Sequence, residues 1–161
     1  MVLKQTFKNH LFVSWFIWSM VLIFLSLYQL SYLNSIGFFS ILSFHLLFSL
    51  PAIYMHISYS IRNAGDKIEL NSTDLILERK GFIKVFNYRE IKRIVVYRSQ
   101  SINQSGKIPS INSYQFARLT TKSEDEIIIT CLMTLNLEEI ISKIPGVTHE
   151  RKKGFAFLFR K

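Results

Sequence analysis

His45 and His56 are the residues whose type and spacing first suggest chemistry. They stand in an apolar stretch, eleven residues apart. On a helix that is about three turns, so the two imidazoles share a face. An imidazole changes charge near neutral pH and ligates metals through either ring nitrogen. Two on one face suit haem ligation or a proton relay, and an ionisable group inside an apolar segment is a functional candidate by default. Each haem iron would need a second axial ligand. His10 is the remaining histidine of this part of the chain and stands at its edge, so a homodimer would be required. The plainer reading, which the rest of the sequence favours, is a neutral histidine bonded to Ser19, Ser26 or a second copy.

Other chemistry is not signalled. There is no Gly-rich phosphate loop, nucleophile elbow or paired histidine–carboxylate motif. His149 stands alone beside Glu150, and Glu124-Asp125-Glu126 reads as a solvated hairpin tip. Cys131 is the single cysteine, so no internal disulfide forms and no metal-ligand spacing exists, as in a reducing compartment. The expectation is a protein that is not an enzyme, with no cofactor and no metal.

The elements that would position the histidines follow from how charge is spread. Between Lys8 and Arg62 there is no Asp, Glu, Lys or Arg. Of the formal charge of +9, +3 falls on residues 1–62 (Lys4, Lys8, Arg62) and +6 on 63–161. Residues 11–33 and 36–61 are almost wholly apolar, and each is long enough as a helix, at roughly 34 Å or more, to cross a bilayer core. Asn34-Ser35, with Gly37 following, reads as a tight turn between them. Trp15 and Trp18, Tyr28 and Tyr32, and Tyr54 and Tyr59 fall where interfacial aromatic belts should lie. Pro51 should bend the second helix. The expected fold class is therefore a membrane α-helical hairpin of two transmembrane helices (residues 1–62), followed by a separate domain (63–161). Lys4 and Lys8 before the first helix, and Arg62 and Lys67 after the second, place both termini in the cytoplasm.

From Lys67 onward the period changes to two, with turns at short spacing. Strands are expected over Lys67–Asn71, Leu75–Arg79, Ile83–Tyr88, Ile91–Arg98, Tyr114–Thr121 and Glu126–Leu132. Lys80-Gly81-Phe82 should form a hairpin tip, and 99–113 a polar loop. Asn136 should cap a terminal helix whose apolar face is Leu137, Ile140, Ile141 and Ile144, stopped by Pro145-Gly146. The second part is thus mainly β, α+β, with six to seven antiparallel strands and a capping helix.

This order resembles the bacterial pleckstrin-homology-like (PH-like) domains of small membrane proteins in which two transmembrane helices precede the domain. The similar stretch runs from about Asp66 to Val147. It is carried by Phe86-Asn87-Tyr88-Arg89-Glu90-Ile91-Lys92-Arg93-Ile94, by Asn112-Ser113-Tyr114, and by Glu126-Ile127-Ile128-Ile129-Thr130 followed by Asn136-Leu137-Glu138-Glu139-Ile140. The resemblance implies a bent antiparallel sheet closed by a C-terminal helix, on a scaffold that hosts lipid, peptide and assembly roles. Familiar members bind phosphoinositides with a basic cluster in the first inter-strand loop. That loop is taken here as Ser72-Thr73-Asp74, which does not match.

Basic residues gather instead at Arg79, Lys80 and Lys84, at Arg89, Lys92 and Arg93, and in the tail at Arg151, Lys152, Lys153 and Arg160. Phe155, Phe157 and Phe159 alternate, so as a strand they share one face. They are read as an edge strand feeding the core, a segment dipping into lipid headgroups, or a strand that a partner pairs with. These basic and aromatic residues are the candidate lipid- or partner-facing set. The leading expectation is a scaffold module held at the cytoplasmic face of the bacterial inner membrane. Its partners would be the lipid bilayer and an unidentified protein, with homo-oligomers possible and no nucleic acid. The alternatives are an anionic-lipid sensor using the basic face and tail, and a redox or proton-handling subunit using His45 and His56.

Overall fold

Alternation of apolar and polar residues builds two four-stranded sheets. In chain order the elements are β1 (Val2–Lys4), α1 (Phe7–Gln29), α2 (Ser35–Arg62), β2 (Lys67–Leu70), β3 (Asp74–Arg79), β4 (Phe82–Asn87), a 3₁₀ turn (Tyr88–Glu90), β5 (Ile91–Arg98), β6 (Gln115–Thr121), β7 (Glu126–Thr130), α3 (Leu137–Ser142) and β8 (Thr148–Lys153). The computed structural model describes residues 1–29, 35–99, 114–153, 156 and 158, and only part of the side chains of α1 and α2. The first sheet has the order β1-β2-β3-β4 and the second β7-β6-β5-β8. Neighbours are antiparallel except β5 and β8, which run parallel with Val95 opposite Glu150.

Between the sheets lies one apolar layer, formed by Ile68, Leu75, Phe86, Ile94, Leu119, Ile127 and Ile129. Leu137, Ile140, Ile141 and Ile144 close it at one end. A second layer covers the opposite face of the second sheet. There Val95, Tyr97, Phe116 and Ile128 meet Val13 of α1 and Ala52, Met55 and Tyr59 of α2. Burial on both faces explains why Ile94, Val95, Val96 and Tyr97 of β5 form an unbroken apolar run. At the β3–β4 tip, Lys80 (φ 49°) and Gly81 (φ 82°) both take the left-handed backbone of a two-residue hairpin turn.

The expected transmembrane hairpin is corrected. Among the described residues no helix is long and apolar enough to cross a membrane, and the fold is a β-rich pair of sheets with helices packed against it. A helix without a polar face satisfies the pattern of a span, yet here one side of that apolar surface, with Val13, Ala52, Met55 and Tyr59, is buried on the second sheet while the other is exposed. Tyr59, expected in an interfacial belt, is fully buried in the second layer. Asn63, at the end of α2, donates from Nδ2 to the Ile128 carbonyl at 2.9 Å and so ties the helix to β7. α2 continues through Pro51.

Further differences are local. There are eight described strands, not six or seven, and one pair is parallel. β1 is only three residues long and gave no periodicity to read; it pairs with β2, Leu3 opposite Ile68. Both long helices therefore lie within the connection between the first two strands, and Ser72-Thr73 belongs to the second connection, not the first. Asn136 makes no side-chain cap to α3. The expected strands between Lys67 and Leu132 otherwise lie within two residues of those observed.

Candidate functional site

Where α1 and α2 meet the second sheet, polar groups form a chain. Gln5 Nε2 donates to the Ser60 carbonyl at 2.9 Å, and His10 Nδ1 lies 3.1 Å from His56 Nε2, so the helices run antiparallel. On the other side of its ring, His56 Nδ1 lies 3.1 Å from Tyr114 Oη. Burial pushes the Tyr114 phenol far up, keeping it a neutral hydroxyl. One consistent set of roles has the Tyr114 hydroxyl donating to His56 Nδ1 and His56 Nε2–H donating to His10 Nδ1. Tyr59 packs edge-on against Tyr114 and Phe116 and donates its hydroxyl to the Ala156 carbonyl at 2.6 Å. Burial also raises Cys131, to about 12, which withholds the reactive thiolate.

The structure thus joins His56 to His10 and Tyr114. The side chain of His45 lies outside the described residues, so the expected His45–His56 face is not described. Among the described residues no group of three or more His, Cys, Asp or Glu gathers to hold a metal ion. The His10–His56 contact was missed because the two are far apart in sequence and no local period links them.

A pH dependence follows. His56 is lowered from its ordinary value, first by burial and then by His10. Its neutral form is the one the fold prefers, so its contribution is complete above the unfolded value of about 6.5 and is lost as pH falls through the folded value. The titratable groups in contact with it are His10 from α1 and Tyr114 ahead of β6. The unfolding midpoint is expected to fall between pH 7.5 and 5.5, and His56→Gln should flatten that slope. An unaltered slope in the variant would assign the pH dependence elsewhere.

The basic candidates do not form one cluster. Arg79 grips the buried Asp66 through Nε and Nη2, at 2.8 and 2.6 Å. Lys84 pairs with Asp125 at 2.6 Å and Lys92 with Glu124 at 3.1 Å. Arg151 reaches Glu138 at 3.5 Å, and Lys152 lies over the Tyr97 ring at 5.8 Å. Lys80, Arg89 and Arg93 are exposed. Arg89 borders a polar depression of about 520 Å³ between the β2–β3 turn (Ser72, Thr73), the 3₁₀ turn and Pro145-Gly146. The side chain of Lys153, together with Phe155, Phe157, Phe159 and Arg160, lies outside the described residues, as do residues 100–113 of the expected polar loop.

A second cavity, of about 460 Å³, lies between the end of α2 and the second sheet. Arg62 and Arg118 line it, and neither was singled out from the sequence. Arg62 appeared only as the charge that ends an apolar run, and Arg118 as one polar residue in an alternating strand.

Compared with known proteins, residues 2–143 match the model of a family described as PH domain. That match takes in β1, both long helices and every other described strand except β8. No curated protein and no solved structure matches the chain.

Proposed function

Because this chain belongs to the PH domain family, whose members are generally non-catalytic binding modules, we propose that it binds an anionic lipid surface through the exposed side of α1 and α2. The observation that carries this reading is a pair of apolar stripes facing away from the protein. On α1, Phe7, Leu11, Trp15, Trp18, Val21 and Leu25 are spaced by three or four residues and are all exposed. Phe7 is 78% exposed, and the two tryptophans 52% and 55%. On α2, Leu50, Tyr54, Ile57 and Ile61 repeat the spacing, again exposed. An apolar surface of this extent marks an interaction site. Tryptophan favours the level of lipid headgroups, and exposed Lys4 and Lys8 at the start of α1, with a net charge of +9, add attraction to anionic lipid. The helices lie in the interface with their other sides on the second sheet, where Val13, Ala52, Met55 and Tyr59 are buried.

The test is vesicle co-sedimentation of the full chain with tryptophan fluorescence. Vesicles containing about a third phosphatidylglycerol should bind the protein and shift Trp15 and Trp18 emission to shorter wavelength, with weaker binding in high salt. Trp15→Ser with Trp18→Ser should reduce partitioning at least about tenfold, from the loss of two interfacial aromatics. A chain that ignores these vesicles and self-associates through the stripes instead would overturn the reading.

A second reading rests on β4, the edge of the first sheet. Phe82, Ile83 and Val85 are 80%, 69% and 57% exposed there, so the edge offers main-chain groups and apolar side chains to a partner's strand.

A further inference from the structure

The second cavity is built unlike the rest of the surface. Its polar walls are Ser58 and Arg62 from the end of α2 and Arg118 and Glu126 from β6 and β7; its apolar walls are Ile61, Ile128 and Leu158. Both arginines have a buried Nε that meets no hydrogen-bond partner among the described residues. A buried guanidinium donor without an acceptor costs free energy comparable to a strong hydrogen bond.

Among the described residues the neighbouring charges do not balance. Arg118 Nη1 is 3.8 Å from Glu126, a long contact to a half-exposed carboxylate, and its Nη2 donates to the Leu158 carbonyl at 3.1 Å. Asp66, the other acid that acts on Arg62, is already held by both forks of Arg79. Among the described residues three guanidinium groups, Arg62, Arg79 and Arg118, thus share two carboxylates. Burial, then the positive charge of Arg79, lower the Arg62 guanidinium from its ordinary value, against the opposing pull of Asp66 and Glu126.

We propose that this cavity binds a small oxyanion, a carboxylate or a phosphate monoester, carried on a short alkyl body. The oxyanion sits between Arg62 and Arg118 and accepts from their guanidinium groups; the alkyl body lies on Ile61, Ile128 and Leu158. A guanidinium fork matches both oxyanions, and a single negative charge neutralises the local excess. The lipid-facing stripes include Ile61, yet this site goes beyond them: its specificity comes from the two arginines, which the stripes do not contain.

The experiment is calorimetric titration of the full chain, without vesicles, with hexanoate and hexyl phosphate, and with hexanol and hexyltrimethylammonium as uncharged and cationic controls. Both anions should bind at least about tenfold more tightly than either control, and the tighter of the two identifies the source of the oxyanion. Arg62→Gln should erase that preference. Ser58→Phe, which fills the cavity and keeps both arginines, should abolish binding while leaving the unfolding midpoint near that of the native chain. Hexanol binding as tightly as the anions, or Arg62→Gln binding them undiminished, would overturn the proposal. Neither result bears on vesicle partitioning, which Trp15 and Trp18 control, so the two readings fail separately.

Discussion

Tyr59→Ala is expected to destabilise the strands of the second sheet, not only the helix that carries it, by about 3–5 kcal/mol. The ring is fully buried, edge-on to Tyr114 and Phe116, and its hydroxyl holds the Ala156 carbonyl at 2.6 Å. Burial, then Cys131 and Tyr114, push the phenol far above its ordinary value, which favours the neutral hydroxyl as donor. Truncation to alanine opens a cavity at the junction of α2, β5 and β6 and leaves a buried carbonyl unpaired. Tyr59→Phe keeps the ring and should lose only about 1–2 kcal/mol. Amide hydrogen exchange of β5, β6 and β7 is the discriminating readout. If α2 were independent of the sheets, exchange in those strands would be unmoved by Tyr59→Ala. Faster exchange across all three is the expected result.

A loss of similar size is expected at Asp66. Its carboxylate is almost wholly buried, takes both forks of Arg79, and accepts from Asn63 Nδ2 at 3.3 Å. Asp66→Asn keeps the shape and removes the charge, leaving the Arg79 guanidinium partly buried opposite a neutral amide. The cost should be about 3 kcal/mol in a urea unfolding experiment, because breaking one half of a buried pair strands the other. Replacing both, Asp66→Leu with Arg79→Met, should recover a substantial part of that loss, since the stranded charge is then gone. A change below about 1 kcal/mol for Asp66→Asn would show the pair to be solvated. Asp66 stands in the short link from α2 to β2, so this pair also ties that link to β3.

The strands were legible from the sequence because period two survives wherever one face is buried: Leu75 and Leu77 point inward while Ile76 and Glu78 are half-exposed. α3 was legible from Leu137, Ile140, Ile141 and Ile144, a helical spacing bounded by Pro145-Gly146. The long helices were legible as helices, but not in what they pack against. Their apolar residues surround the axis, so nothing in the pattern separates Val13 and Tyr59, which are buried, from Trp15 and Ile57, which are exposed. The pair of histidines named from the sequence was chosen by helical spacing along one helix. The contact observed is between helices, and it involves Tyr114, 58 positions further along the chain than His56. Arg62 and Arg118 were equally hidden, since a cavity between a helix end and a sheet leaves no periodic trace.

The placement of α1 and α2 between β1 and β2 has a consequence for the order of assembly. β1 and β2 are adjacent in the first sheet, yet residues 5–66 separate them along the chain. Bringing the ends of so long a flexible segment together costs roughly 3 kcal/mol more entropy than closing the three-residue turn from β2 to β3. An antiparallel helix pair removes most of that cost in advance, because pairing Gln5 with Ser60 and His10 with His56 already sets the two ends side by side. The helices therefore act as a clasp: once fastened, they deliver Leu3 to Ile68 with little left to search. β1 should be the last strand to gain protection during refolding and the first to lose it, and loosening the clasp at His10 should release the edge of the first sheet while the second stays formed.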